Sequence, residues 1–174
     1  MSLATAMTVF CFVYALLCKT GTLTAEDTGR AWTVTYPFGS VLQVSRESIP
    51  FAMPAPDGRT LALVSAGAGI LTQNVPWLAI AGLMLRLLMR IRDGHSPFLP
   101  GTDGCIRAAG WVLLGKGIFG TLLWQVSVSL IAFQRLYFCN PFDLGEIFAG
   151  ILLLFLADIF RKGCLLQQES DETL

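Results

Sequence analysis

Four apolar runs, each parted from the next by charged or turn-forming residues, dominate this chain. The hinge between the second and third, Arg90-Ile-Arg-Asp-Gly-His-Ser-Pro-Phe98, fixes how they can be arranged. The runs on either side are too long and too uniformly apolar for the core helices of a small soluble domain, so the hinge is expected at a membrane surface, where arginines mark the cytoplasmic side. Mean hydropathy of +0.64 with 14% charged residues leaves too little polar side-chain material to coat a globule of 174 residues. A lipid bilayer is therefore the expected solvent.

The first predicted span covers about 3–23. Its apolar part ends near Leu17, short of a hydrocarbon core of roughly 30 Å, so it is extended toward Leu23 with Lys19 reaching for the interface. A signal peptide is the alternative, but no basic n-region precedes the run and no A-x-A site follows it. The second span covers about 61–88; Pro76 removes a helical hydrogen bond and predicts a kink near Thr72 to Gln73. The third covers about 107–133 and the fourth about 142–160, leaving a tail over 161–174.

Four spans put both termini on one side of the membrane. Arg86, Arg90, Arg92 and Arg107 flank the hinge of about 89–106, and Arg161-Lys162 opens the tail, all close to helix ends. Lys19, Arg30, Arg46, Arg59 and Arg135 fall on the other side, diluted by Glu26, Asp27, Glu47 and Asp57. Both termini and the hinge are accordingly expected in the cytoplasm.

Across the membrane, the loop of about 24–60 contains Trp32-Thr-Val-Thr-Tyr36 and Val41-Leu-Gln-Val44, of strand composition, around Pro37-Phe-Gly-Ser40, a turn sequence. The expected fold class is thus an all-α membrane protein: a four-helix transmembrane bundle, one integral domain over 1–174, with a small extracytoplasmic β-hairpin.

Polar groups inside the spans are where chemistry could reside. Lys116 lies nine residues past Arg107, roughly 13 Å deeper by helical rise, where a lysine costs up to about 3.5 kcal/mol. The leucines, valines, isoleucines and phenylalanines of the same span offset that cost. Gly120 and Ala109 share its helical face, which points to packing against another helix. Asp158 is the expected partner, in a bridge between antiparallel helices; snorkelling and an ion pathway are the alternatives. Glu146 with Arg135 could repeat the arrangement on the outer side. Gln73 and Asn74 complete the candidate polar network, with bonding to neighbouring helices favoured over a substrate path.

Other motifs carry less. Gly110 to Lys116 matches seven positions of a phosphate-binding loop, but Gly117 replaces the Ser or Thr, no strand precedes it, and the run lies in a span. His95 is the sole histidine, so no metal cluster forms around it, and no cofactor, metal or catalytic residue is expected. Cys18 and Cys139 fall near the outer face and could pair. A net charge of zero with scattered basic residues argues against direct contact with nucleic acid.

Gly94-His-Ser-Pro97-Phe98, Arg107 and Gly110, then Ile159-Phe160 with Gly163, Leu166 and Gln168-Glu169-Ser-Asp171-Glu-Thr-Leu174, resemble the signature of a bacterial family of small four-span membrane proteins described only as a domain of unknown function. The resemblance covers about Leu61 to Leu174. It implies four helices, cytoplasmic termini and genes beside small Cro-type helix-turn-helix regulators, hence a membrane partner of a cytoplasmic transcription regulator. In physical terms Pro97 ends the second helix, Phe98 anchors the hinge in the interface, and Asp103 or Thr102 can cap the third helix. Glu169, Asp171 and Glu172 would then meet Arg90, Arg92 or Arg107, forming a cytoplasmic interaction face. The expected function is a non-enzymatic regulatory or sensory component of the bacterial inner membrane, homo-oligomeric or not. The alternative is a small transporter or channel subunit working through Lys116, Asp158, Gln73 and Asn74.

Overall fold

The computed structural model describes residues 2–19, 21–39, 41–45, 56–94, 102–137 and 139–172. Among the described residues the chain is mostly helical, with four helices, the second of them interrupted by a π turn, and a small three-stranded sheet. In chain order these are α1 (Ser2–Leu17), β1 (Ala25–Asp27), β2 (Ala31–Thr35), β3 (Val41–Ser45), α2 (Gly58–Gly69), which continues through a π-helical turn (Ile70–Asn74) into α3 (Val75–Gly94), then α4 (Thr102–Ala132) and α5 (Leu144–Glu172). Two helical stretches, Gly58–Arg92 and Thr102–Ala132, are long and apolar enough to cross a membrane. The chain as a whole divides into two compact units: Met1–Asn74 with Phe119–Pro141, and Val75–Ile118 with Phe142–Leu174.

In the first unit the predicted hairpin is present and gains a strand. β2 and β3 pair antiparallel with Trp32 opposite Val44, and β1 adds to the free edge of β2 with Asp27 opposite Trp32. Alternation turns Trp32 and Val34 of β2, Tyr36 just beyond it and Val44 of β3 inward, where they are buried with Leu23, Leu61, Ala62 and Val128. Burying each large side chain of this set contributes roughly 1.5–3 kcal/mol, which gives a sheet this small the support it needs. Gly29 takes a left-handed φ of +79° at the β1–β2 turn, and its N–H donates to Asp27 Oδ1 at 2.8 Å.

The helices of this unit begin and end for identifiable reasons. Asp57 caps α2, its Oδ2 accepting from Thr60 N at 3.1 Å and Thr60 Oγ1 at 3.0 Å. Arg59 reaches back to the end of α1 and donates from Nε to Ala15 O and from Nη2 to Leu16 O, satisfying carbonyls that the helix itself leaves open. At Gly58 the backbones touch: a Cβ there would lie 2.2 Å from Leu23 O. The break predicted from Pro76 appears as the π turn at Ile70–Asn74, with Thr72 Oγ1 donating to Ala68 O at 2.8 Å.

Several sequence-based boundaries are corrected. α1 stops at Leu17 instead of running to residue 23. α3 persists to Gly94 and α4 starts at Thr102, so Arg90 and Arg92 lie on a helix, and what remains of the hinge, with His95, Pro97 and Phe98, lies outside the described residues. Thr102 is not a cap, because its buried hydroxyl has no hydrogen-bond partner. The tail is an extension of α5 as far as Glu172: apart from Gly163 and Cys164, residues 161–169 are good helix formers with no proline to stop them. Cys18 and Cys139 are not joined.

The connection from α4 to α5 is the largest departure from a bundle with simple tip-to-tip loops. Within the first unit it runs back along α4: Arg135 N donates to Ser129 O and Tyr137 N to Ser129 Oγ, and the Gln125 amide engages both the N–H and the C=O of Cys139 at 3.0 and 2.9 Å. In the second unit Asp143 N donates to Gly117 O at 2.8 Å. α5 therefore starts beside the middle of α4, well short of its C-terminal end.

Candidate functional site: a buried ion pair between α4 and α5

α5 opens with Asp143 as its cap, the carboxylate accepting from Glu146 N at 3.1 Å and the carbonyl accepting from Ile147 N at 3.0 Å. With Asp143 also tied to Gly117, the first turn of α5 is pinned against α4. Glycines then let the two helices close. A Cβ on Gly117 would lie 2.8 Å from Ile147 N and 3.1 Å from Asp143 O, and one on Gly150 would lie 2.8 Å from Leu114 N. Gly110 faces Gly150 O and Leu154 in the same antiparallel register. Ile80 of α3 joins Ala109 and Leu113 in a small core, with Ala149 and Leu153 packed on it.

That register decides which charges meet. Lys116 Nζ contacts Glu146 Oε1, and its ammonium lies 5.4 Å from the centroid of the Trp77 ring of α3, an arrangement that favours a desolvated cation. The lysine side chain is 3% exposed and that of Glu146 17%. Asp158 accepts from Arg107 Nη2 at 2.9 Å instead, in a pair whose side chains are 38% and 65% exposed. The expected Lys116 to Asp158 bridge is thus corrected, and Glu146, expected to pair with Arg135, meets Lys116 instead. Had α5 started level with the end of α4, Lys116 would face the neighbourhood of Asp158. Because α5 starts beside Gly117, the lysine instead meets the first turn of α5, and Asp158 falls opposite Arg107. Twelve residues on α5 separate the two carboxylates, about 18 Å by helical rise.

The remaining candidates are distributed elsewhere. Gln73 and Asn74 are half-buried in the π turn and belong to the first unit, whereas Lys116 and Asp158 belong to the second. Arg90 and Arg92 sit in the last turns of α3, and Glu169 in the last turns of α5. Asp171 and Glu172 are helical, and their side chains lie outside the described residues, so the tail-to-hinge face is outside them too. Cys164 lies beyond the predicted fourth span; burial, and then the negative charge of Asp103, push its thiol above the ordinary range, in keeping with the same α4–α5 register. Sequence reasoning missed Glu146 as the partner of Lys116, and it missed Asp143, Trp77 and Gly150. The available signals were Asp143 three residues before Glu146, a cap signature, and Gly110, Gly117 and Gly150 on two consecutive apolar helices.

Chemically, the pair holds one proton-bearing cation against one carboxylate in a closed, apolar setting. It neutralises both charges, and at 3% exposure the lysine has no open approach for a substrate. No family model, curated protein or solved structure matched the chain.

Proposed function

We propose that this chain is a multi-pass integral protein of a bacterial cytoplasmic membrane, with its termini and the 95–101 connection in the cytoplasm, acting as a non-enzymatic regulatory or sensory component that engages a cytoplasmic transcription regulator. The observation that carries the membrane reading is the inversion of polarity in the second unit. Lys116 and Glu146 turn inward onto each other, while Phe148, Ile151, Leu152, Phe155 and Ile159 of α5 and Trp111 of α4 point outward, exposed. A soluble helix bundle would expose the charges and bury the phenylalanines; in lipid the reverse arrangement is favoured.

Pairing also bears on α5, whose apolar stretch is interrupted by Glu146 and Asp158. Both carboxylates are engaged, by Lys116 and Arg107, which lowers the cost of carrying them into or beside a bilayer. With the exposed Arg107–Asp158 pair at the interface, the buried pair lies roughly 13–18 Å deeper, about midway through a hydrocarbon core of about 30 Å. A closed ion pair at that depth supports a structural role over transport. The regulatory part of the reading rests on the resemblance to the four-span family and on the lack of an open approach to Lys116.

Cysteine-accessibility labelling tests the topology. In a background with native cysteines replaced, a cysteine at position 96 is expected to resist a membrane-impermeant maleimide in sealed cells and to react after permeabilisation, whereas reaction from outside reverses the orientation. Affinity purification from native membranes is expected to retain a helix-turn-helix protein, and its repeated absence under crosslinking overturns the regulatory assignment. Potassium or proton flux through the pure protein in liposomes, abolished by Lys116→Met, would replace it with the transport reading.

A further inference from the structure

Apart from the ion pair, the first unit contains a cavity of about 140 Å³ where α1, the sheet and α2 meet. Met7 and Val41, both exposed, stand at its mouth; Cys11, Tyr36 and Ala66, all buried, line its depth, with Thr8 and Leu42 between. Among these apolar walls Tyr36 is the anomaly: it is 1% exposed, and its hydroxyl has no hydrogen-bond partner. A buried hydroxyl is ordinarily satisfied, so an orphan one beside a cavity asks for an occupant. The ring cannot easily swing away to find water, because it stacks on Phe38 at 5.2 Å and meets Tyr14 edge-on at 6.0 Å. Burial, and then the nearby thiols of Cys11 and Cys18, push the phenol up to about 12, so at neutral pH it keeps its proton and can donate it in a hydrogen bond.

The volume indicates the size of the guest. An apolar protein cavity of about 150 Å³ admits one benzene ring, so this one takes a single ring or a few carbons. We propose that the cavity binds the carbonyl-bearing end of an apolar molecule, the Tyr36 hydroxyl donating to the carbonyl oxygen while the hydrocarbon leaves between Met7 and Val41. The shared chemistry is a ketone or ester carbonyl on hydrocarbon, supplied either by a free small molecule or by the acyl ester of a bilayer lipid. The site is independent of the ion pair and of the proposed regulatory role.

Full-length protein in a maltoside detergent, which brings no carbonyl of its own, is titrated with acetophenone and with ethylbenzene by ligand-detected NMR. In parallel, native mass spectrometry compares retention of a diacyl ester phospholipid with that of its dialkyl ether analogue, which differs in lacking the carbonyls. Acetophenone is expected to bind about five- to tenfold more tightly than ethylbenzene, the worth of one hydrogen bond. Tyr36→Phe, which keeps the shape of the ring, is expected to abolish that preference. Ala66→Leu, filling the depth, and Met7→Trp, obstructing the mouth without entering the core, are each expected to weaken both probes. A preference for the ester lipid alone, lost in Tyr36→Phe, assigns the site to lipid; a preference for acetophenone alone assigns it to a free ligand. Absence of binding by all four molecules, or a carbonyl preference that survives Tyr36→Phe, overturns the proposal.

Discussion

Removing the ammonium of Lys116 is the most informative perturbation of the second unit. Methionine has nearly the same length and fills the same apolar space, so Lys116→Met deletes the charge with little change in shape. Glu146 would then be left 17% exposed and without its ammonium, since its cap contact with Asp143 involves only its backbone N–H. Breaking a buried pair in this way costs about 3–5 kcal/mol, a shift of roughly 6–20 °C in Tm for a chain of this size. Replacing both partners, Lys116→Met with Glu146→Leu, restores an uncharged interface and is expected to recover most of the loss. The assay is a double-mutant cycle from thermal or denaturant unfolding of the purified protein, run for 116 with 146 and separately for 116 with 158. The first cycle is expected to couple by about 2 kcal/mol or more, and the second to be additive within about 0.5 kcal/mol, as for separated sites. A cost below about 1 kcal/mol for Lys116→Met, or coupling to 158 in place of 146, refutes the pairing and returns the lysine to snorkelling or to the bridge first expected.

Three further outcomes check other parts of the structure by the same unfolding measurement. Gly117→Ala is expected to cost about 1–3 kcal/mol because its Cβ meets the backbone of α5, whereas Gly115→Ala, with nothing within 4 Å, should be neutral or slightly stabilising. Arg59→Lys keeps a charge but loses the fork that holds Ala15 O and Leu16 O, and a loss of about 1–2 kcal/mol is expected; equal stability of the two proteins would show that this cap contributes nothing. Tyr36 is raised from 10.0 in the unfolded chain to about 12 when folded, so its contribution is fully present below pH 10 and is lost as pH rises toward 12. The alkaline decline in stability is expected to be shallower in Tyr36→Phe, and an unchanged decline would contradict it.

Much of the local structure was legible in the chain. Pro76 announced the break that appears as the π turn, because a missing N–H acts on its own helix within one turn. The β-branched and aromatic residues of Trp32-Thr-Val-Thr-Tyr36 and Val41-Leu-Gln-Val44, on either side of a turn sequence, announced the hairpin, because such side chains suit a pleated, half-buried surface. The added strand β1 escaped notice because Ala25-Glu-Asp27 is only three residues long, mostly exposed, and carries no apolar alternation.

The candidate site was half legible. Sequence alone marked Lys116 as a buried charge in need of a carboxylate, since its cost in an apolar helix follows from its immediate neighbours. Which carboxylate answers it was decided only in three dimensions. The distance from the end of α4 to the start of α5 is short in residues, and a tip-to-tip loop would have set Lys116 near Asp158. Gln125 and Ser129 instead hold the connection against α4, Gly117 O receives Asp143 N, and the register of α5 slides until Glu146 is the residue opposite. Helical periodicity is fixed by residues three and four apart. The register of one helix on another is fixed by hydrogen bonds and glycine contacts between positions 14 to 44 residues apart, to which no local pattern is sensitive.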